Sequence, residues 1–582
     1  MASAGQDNDA NFDNSIILGV VVVDFNHLVG PQIEYAYPRE LESNEELGTQ
    51  LPFMALPDGS HMSDEDYSYF HLLCRSLRPS TIFGISCNRQ IQADDLINKG
   101  SDVKRSMVQK AIVILAMQPI FGPLRTKLGM VTRAFFAQRD LNNVKLLEEF
   151  YETLESGVHR SPAKDKSISS DEDGNTLYMG TSIRECVHKW RFRTLMLLKL
   201  ILLQKRIMVY GYPVEHLCTL QYSLVSLIPA LLPHLQDAAA PELNTLSRDR
   251  VKAESLRMSD RDSLLAYMGL PLPLFSHDAF FQPYCPLQQI DNLRCKTWLI
   301  GTTNQIFKHQ KTSQPDVIVD LYKMQLSFLD PTLHNLVSLT PADRKWMDDV
   351  INVVQSTWNS ADPAQPVQMQ YKGSDDYLRA RFEEYVFGLL STAKYCELHP
   401  SAGEASSLLS FGSDFVEAFR QTSVFQTWHQ FTDETLCELI PGQHPCSGKT
   451  TVLSDVAIRL QAGINDLNLE ENLGPTRERI GAAWQAGSAS LLRAAHTWRQ
   501  DLGRMTASYS RNDTESGEST PKLSNALSAW QATSSQGAAA LSQFGSYLSS
   551  KQREWYGSFT KSSDKNDDSM AAENKESPQK HT

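Results

Sequence analysis

The stretch from Gly442 to Thr450 comes closest to a motif with its own chemistry, because GQHPCSGKT ends in the Gly-Lys-Thr of a phosphate-binding loop. Such a loop needs four residues between its glycines, so that successive backbone N–H groups converge on the phosphates. Five residues separate Gly442 from Gly448, and Pro445 removes one of the donors. We therefore expect a solvent-exposed loop here and no nucleotide site.

Four side chains that can bind metals lie within eighteen residues of one another, namely His429, Cys437, His444 and Cys446. Structural zinc sites arrange their cysteines and histidines in close pairs with characteristic spacings. These four residues match no such spacing. We interpret them as ordinary structural or loop residues.

Other patterns for catalysis are also missing from the sequence. No two glycines are separated by a single residue, which excludes the dinucleotide fingerprint and the kinase glycine loop. The paired carboxylates Asp348 and Asp349, and Asp375 and Asp376, are adjacent in sequence, so a helix would point them to different sides. We expect these four to be solvated or to cap helices. The sequence thus predicts no catalytic residue, no cofactor and no metal site.

Composition narrows the class of protein further. The 582 residues carry 68 acidic and 55 basic side chains, a formal charge of -13, which disfavours binding to nucleic acid. Nine scattered cysteines are too few for a disulfide framework and indicate a reducing compartment. The polar, acidic N-terminus lacks the features of a signal peptide. We therefore expect a cytoplasmic protein that is not secreted and has no small-molecule substrate.

One segment, residues 192–210, is the best candidate for a membrane span. Its nearly apolar part covers only Leu195 to Leu203, and Lys199 interrupts it. A transmembrane helix needs about 20 apolar residues. We predict a buried helix that runs into a strand.

The first domain predicted by the hydrophobic pattern is an α/β lobe at residues 14–155, after a disordered tail at 1–13. Its strands are a continuous β-branched run at 16–23, a hairpin partner at 33–37, and two later runs at 81–87 and 111–115. We interpret the residues between Pro38 and Ser80 as a polar loop. Helical periodicity extends from Phe121 to Glu155.

A linker composition at residues 156–176 separates this lobe from a second α/β unit at 177–360. Short β-like segments at 297–301 and 316–320 belong to that unit. Residues 236–262 are polar and predict an exposed segment inserted into it.

Helical spacing dominates from Asp375 onward, where Phe411, Phe415 and Phe419 recur every four residues. We predict a helical domain at 374–460, amphipathic helices at 475–560, and a disordered tail at 561–582. The fold class is therefore α/β plus all-α.

An apolar stripe within residues 522–551 suggests a membrane contact. No charged residue lies between Lys522 and Lys551, and the face opposite the stripe is rich in Ser, Gln, Gly and Ala. Such a helix adsorbs through lipid packing defects; the alternatives are that the stripe packs on the protein's own body or on a partner helix, or that the segment is disordered. The candidate membrane-binding residues are Leu523, Leu527, Trp530, Leu541, Phe544 and Leu548.

Four serines match patterns read by protein kinases. Ser169 and Ser170 precede three acidic residues, whereas Ser161 and Ser577 each precede proline. We expect these to be candidate phosphorylation sites.

Several long segments, in the same order along the chain, carry a family resemblance. They are LPFMALPDGSH at 51–61, TIFGISCNRQI at 81–91, KLILLQK at 199–205, WLIGTTNQ at 298–305 and DFVEAF at 414–419. These segments resemble the Avl-type late secretory pathway proteins, a branch of the DENN-domain superfamily. The resemblance covers residues 16 to about 460.

This resemblance implies a tripartite DENN module, with a longin-like N-terminal lobe, a central α/β lobe and a C-terminal helical part. It also implies work in exocytic vesicle traffic from the Golgi or recycling endosome to the plasma membrane, and in cell polarity or migration. Many DENN proteins are guanine-nucleotide exchange factors for Rab GTPases, so a Rab GTPase is the expected partner. The alternative is a non-catalytic membrane-associated scaffold or a Rab effector.

Overall fold

The computed structural model describes residues 16–446, except residues 27, 99–105, 158–176, 179, 249, 254–260, 312, 399–404 and 433–442. The first half forms an antiparallel sheet of five strands in the order β2-β1-β5-β4-β3. Its strands are β1 (Ile17–Asn26), β2 (Gly30–Tyr37), β3 (Glu65–Leu72), β4 (Ile82–Gln92) and β5 (Met107–Ala116).

Both faces of this sheet are covered because β1 is apolar at every position from Ile17 to Val23. Val21 and Val23 pack in the cluster that contains helix α1 (Glu45–Ala55), whereas Val20 and Val22 pack with α2 (Phe121–Ala137) and α3 (Lys145–Gly157). Successive side chains of a strand point to opposite faces, so a continuous apolar run buries both. The strand predicted at 16–23 is confirmed.

One prediction for this lobe is wrong. Residues 38–80 do not form a polar loop, since they contain α1 and β3. The sequence of β3, EDYSYFHL, lacks an apolar run because several of its polar side chains bond to other elements. The helical region predicted from Phe121 to Glu155 is confirmed as the two helices α2 and α3, with Arg139 between them in a left-handed conformation (φ 57°).

The second sheet also has five strands, in the order β10-β9-β6-β8-β7. These are β6 (Ile207–Tyr210), β7 (Ala279–Gln282), β8 (Thr297–Thr302), β9 (Val317–Asp320) and β10 (Gln325–Phe328). Strands β6, β7, β8 and β9 all run in the same direction, whereas β10 pairs antiparallel with β9.

Helices α4 (Ile183–Trp190), α5 (Phe192–Leu202) and α6 (Val214–Ser226) surround the start of this sheet. The buried helix running into a strand, predicted for residues 192–210, is confirmed as α5 followed by β6. The short helices α7 (Thr245–Arg248) and α8 (Arg261–Tyr267) follow.

The segment predicted to be exposed at 236–262 is buried where it begins. Ala238 to Ala240 are at most 5% exposed, and the N–H of Ala239 donates to the hydroxyl of Thr81 (3.1 Å). The small alanine side chains let the segment lie against the first sheet. The buried carboxylate of Asp237 accepts the N–H groups of Thr245 and Leu246, which begin α7.

The chain continues as helices after the second sheet. They are α9 (Pro331–Leu336), α10 (Pro341–Ser356), α11 (Asp375–Leu398), α12 (Ala405–Phe411), α13 (Ser413–Arg420) and α14 (Ser423–Phe431). Phe411, Phe415 and Phe419, which predicted a helical core, are at most 1% exposed. The prediction of sheets followed by helices is thus confirmed.

The edges of the two sheets are joined by a side chain. Gln282, at the end of β7, accepts the backbone N–H of His71 in β3 (2.6 Å) and donates to its carbonyl (2.7 Å). Both residues are fully buried. The side-chain amide of Gln282 thus forms the two hydrogen bonds with the edge of β3 that a neighbouring strand would form. The second N–H of this amide donates to the side-chain carbonyl of Gln289 (2.6 Å).

Charged groups reinforce the same junction. The buried carboxylate of Asp66 in β3 accepts the N–H groups of Val214 (2.9 Å) and Glu215 (3.2 Å), which begin α6. Arg125 of α2 forms a bidentate ion pair with Glu215. The two sheets are therefore held in a fixed relation.

Replacing Gln282 by Ala is expected to lower the free energy of unfolding by about 2–4 kcal/mol, because it leaves the buried N–H and C=O of His71 unpaired. Chemical denaturation of the full chain measures this. Gln325→Ala, at an exposed position of β10, is the control and should cost less than about 0.5 kcal/mol. Equal stability of the two variants would contradict the junction.

Candidate functional site

The carboxyl edge of the second sheet is where its topology opens a crevice. After β6 the chain passes through α6 to β7 and β8, which lie on one side of β6 in the sheet. It then returns to form β9, which pairs with the other side of β6. The space between β6 and β9 is therefore a topological switch point. Ligands of open α/β sheets bind outside the carboxyl ends of the strands at such points.

A cleft of about 230 Å³ lies at this position, between α4, α6 and the turn that joins β9 to β10. Its lining mixes apolar and polar side chains and includes Glu185 and Lys189, which form an ion pair with each other (2.7 Å). The lining includes Cys186, Trp190, His216, Leu220, Leu321 and Met324. The volume suits one large side chain better than a drug-sized ligand, whose pockets span about 300–1,000 Å³.

The same turn presents Tyr322 and Lys323 on its outside. Asp320, the last residue of β9, accepts the N–H groups of both (3.0 Å each) and so fixes the turn. The ring of Tyr322 meets the ring of Tyr210 edge-on at 6.0 Å between centroids. The ammonium of Lys308 lies 3.2 Å from the centre of the Tyr210 ring and 3.9 Å from Asp320.

A loop of the first lobe reaches this edge. The carboxylate of Asp58 accepts a proton from the side-chain amide of Asn304 (2.7 Å), and its carbonyl accepts the hydroxyl of Thr303 (2.8 Å). Met62, four residues farther along the loop, is 58% exposed. Asn304 in turn accepts the N–H of Ile306 (2.9 Å). We call Met62, Ile306, Lys308, Tyr322 and Lys323 the carboxyl-edge surface.

This surface combines apolar and basic side chains, an arrangement suited to binding a protein, and the turn that carries Tyr322 and Lys323 also contributes Leu321 and Met324 to the cleft. In the part of the chain that the structure describes, no three His, Cys, Asp or Glu side chains lie close enough together to hold a metal ion. Among the same residues, no helix is both long and apolar enough to cross a bilayer.

The site residues predicted from the sequence lie outside the described residues. These are the candidate membrane-binding residues Leu523, Leu527, Trp530, Leu541, Phe544 and Leu548, and the candidate phosphorylation sites Ser161, Ser169, Ser170 and Ser577. They stay predictions. Cys437, one of the four metal-capable residues, also lies outside.

The described members of that group are separated into different environments. The ring of His429 stacks on Phe425 in α14, whereas His444 is buried beside Asp343. The exposed loop predicted for residues 442–450 is therefore wrong at His444, whose side chain is fully buried. Its anchor is a carboxylate 101 residues away in sequence, which no local pattern reveals.

The carboxylate of Asp343 in α10 is the centre of this buried cluster. It accepts hydrogen bonds from the ammonium of Lys199 in α5 (2.6 Å), the hydroxyl of Tyr385 in α11 (2.9 Å) and the ring of His444 (3.1 Å). Burial alone would raise the pKa of Asp343, but the hydrogen bond from His444 and the charge of Lys199 hold this pKa below its usual value. Because Nδ1 of His444 accepts the N–H of Cys446 (3.1 Å), its Nε2 carries the proton.

This cluster ties the helices to the second lobe and is closed to substrates. The side chains of Lys199, Asp343 and His444 have no exposed area. His71 is similar, since burial lowers its pKa to about 3 and its ring bonds to the Phe281 carbonyl and the Tyr222 hydroxyl. These titratable groups act as structural contacts.

The paired carboxylates behave as expected. Asp348 and Asp349 are exposed on α10. Asp375 begins α11 and caps a different helix, because it accepts the N–H groups of Ile183 (3.1 Å) and Arg184 (3.0 Å) at the start of α4.

Sequence reasoning did not find the carboxyl-edge surface. Its residues come from three separate segments, and single exposed side chains such as Tyr322 carry no pattern. The one local signal is Asp320 at the end of a short strand, followed after Leu321 by two solvent-facing residues.

Comparison with known proteins gives consistent relatives. A family model described as "Transport protein Avl9" matches residues 17–393. The chain is 37% identical over 478 residues to "Late secretory pathway protein AVL9" of Saccharomyces cerevisiae, which covers 76% of this chain and 62% of that protein. It is 36% identical over 457 residues to "Late secretory pathway protein avl9" of Schizosaccharomyces pombe, covering 76% of this chain and 92% of that protein.

A shorter similarity links the chain to a second group. It is 31% identical over 94 residues to "DENN domain-containing protein 10" of Mus musculus, which covers 16% of this chain and 25% of that protein.

Replacing Asp343 by Asn is expected to cost about 3–5 kcal/mol of unfolding free energy, because it leaves the buried ammonium of Lys199 without its counter-charge. Asp348→Asn, on the exposed side of the same helix, should change it by less than about 0.5 kcal/mol. Urea denaturation monitored by circular dichroism measures both. A similar small cost for the two variants would show that the cluster does not hold the helices.

Glu384 of α11 gives a prediction about pH. Burial raises its pKa to about 7, although Arg381 opposes the shift. Folding therefore favours the protonated acid, and the stability this gives is present at low pH and lost as pH rises from about 4.5 to about 7. Glu384→Gln imitates the neutral acid, so it should be about 1–3 kcal/mol more stable than the wild type at pH 8 and equal to it near pH 4.5.

The measurement is the free energy of unfolding as a function of pH for both proteins. Exposed Glu152→Gln serves as control and should follow the wild type throughout. A difference between Glu384→Gln and wild type that does not change with pH would contradict the prediction.

Proposed function

Because this chain belongs to the family of Avl9 transport proteins, we propose that it acts in the late secretory pathway by binding and activating a Rab GTPase. The traffic concerned is exocytic, from the Golgi or recycling endosome to the plasma membrane, with effects on cell polarity and migration. The observation that carries the proposal is the family match, since residues 17–393 include both sheets and most of α11.

The order of the elements supports a tripartite DENN module. In this proposal the five-stranded sheet covered by helices on both faces would be the longin-like lobe, the mainly parallel sheet the central lobe, and α10 to α14 the helical part. The similarity to DENN domain-containing protein 10 supports the same assignment over a short stretch.

The physical chemistry of exchange fits a protein that works through contacts. An exchange factor binds the nucleotide-free GTPase more tightly than the nucleotide-bound form, and so remodels the loops that hold phosphate and Mg²⁺. This requires a rigid surface and no nucleophile or metal of its own. The paired junctions at Gln282 and Asp343 supply rigidity.

Membrane association at the Golgi or recycling endosome belongs to the same proposal. The stripe with Trp530 at its centre would place the protein on the cytoplasmic face as a peripheral protein.

The test is release of fluorescent GDP from a panel of Rab GTPases, using the full chain with and without liposomes. Acceleration for one Rab, with tighter binding to its nucleotide-free form, is the expected result. Tighter binding to a GTP-loaded Rab would instead favour an effector. Binding to no Rab in either condition would overturn the proposal in favour of a scaffold for exocytic or cytoskeletal partners.

A further inference from the structure

Three exposed apolar side chains lie on loops that are linked to one another at the carboxyl edge of the second sheet. Tyr322 is 62% exposed, Met62 58% and Ile306 50%. Single exposed apolar residues are ordinary, but a group at one position marks an interaction site. Contacts through Asp58 and Asn304 bring the loops of Met62 and Ile306 together, and Lys308 links the latter to Tyr322 through the Tyr210 ring.

The surface is organised before any partner binds. Asp320 fixes the turn that carries Tyr322 and Lys323, and Asn304 fixes the N–H of Ile306. Met62 belongs to the first lobe and the others to the second, and the Gln282 junction holds the two lobes together. A surface fixed in this way loses little conformational freedom on binding.

The charge of the surface selects its partner. Lys308 and Lys323 both lie near the carboxylate of Asp320, whereas the carboxylate of Asp58 at the same edge is bound by the side-chain amide of Asn304. Burial lowers the pKa of Lys308, Asp320 opposes this, and nearby Lys323 lowers it further. Two lysines so close together favour a partner that presents carboxylates beside apolar side chains.

We propose that the carboxyl-edge surface is where the GTPase partner docks, with an acidic segment of the GTPase against Lys308 and Lys323 and an apolar side chain against Tyr322 and Ile306. The inference rests on the proposed function and adds the location and chemistry of the contact. The cleft behind the turn, lined by Leu321 and Met324, is open to one further side chain of the same partner.

The hairpin of β9 and β10 provides a matched pair of variants. Tyr322 lies in the turn at the carboxyl edge, whereas Leu329 follows β10 at the opposite edge, and each is 62% exposed. For Lys323 the matched control residue is Lys345, which is exposed on α10. Tyr322→Asp and Lys323→Glu therefore test the surface, and Leu329→Asp and Lys345→Glu control for the added charge.

The experiment measures the affinity of each full-length variant for the Rab GTPase that binds the wild type in nucleotide-free form, together with GDP release. Tyr322→Asp and Lys323→Glu are expected to weaken binding about tenfold or more and to slow exchange accordingly. The two control variants should bind as the wild type does. Thermal denaturation should give one Tm for all five proteins, because every substituted side chain is exposed.

Each other outcome has a definite meaning. If the wild type binds a Rab and Tyr322→Asp binds it equally well, the docking surface is overturned while the proposed function stands. If the control variants lose as much affinity as the test variants, the location is likewise overturned. If the wild type binds no Rab, the proposed function fails and this inference fails with it.

Discussion

Pairing the buried backbone of His71 is the constraint on which the arrangement of the lobes depends. Strand β3 is an edge strand, and its outer N–H and C=O groups would lose water without a replacement if they were covered by an apolar side chain. Gln282 supplies both a donor and an acceptor at one position. Gln289 in turn binds the side chain of Gln282, and the carbonyl of Phe281 binds the ring of His71. Because both residues are fixed in this way, the junction permits only one relative position of the two sheets.

The helices are tied to this body by a different kind of contact. Lys199 and Asp343 form an ion pair with no exposed area, and removing two charges from water offsets much of their attraction. Such a pair adds little net stability but penalises every arrangement in which one member is left alone. Together with Tyr385 and His444, it specifies how four segments of the chain meet.

Strongly periodic segments were predictable from the sequence, and elements defined by distant partners were not. The apolar run of β1 and the phenylalanines of α12 and α13 could be predicted because burial of their own apolar side chains determines the structure of these elements. Strand β3 was missed because its polar side chains are satisfied by other elements, as Asp66 is by α6. The alanines at 238–240 were predicted to belong to an exposed insertion, because no local pattern indicates that the first sheet lies beside them.

The candidate site was unpredictable for the same reason. A switch point depends on the order of strands, and β7 and β10 are only four residues long. The family resemblance predicted the partner class but not a surface. The residues that form the surface acquire a common location only after the two lobes are joined.

The dependence of β3 on its neighbours has a consequence for dissecting the protein. A fragment that ends in the linker after α3 would lack both α6 and Gln282, leaving β3 as a bare edge of eight residues that are almost all buried in the whole chain. Uncovered edge strands of this kind recruit other strands and aggregate. We therefore expect that the first sheet does not fold autonomously, and that soluble fragments need to retain the central lobe.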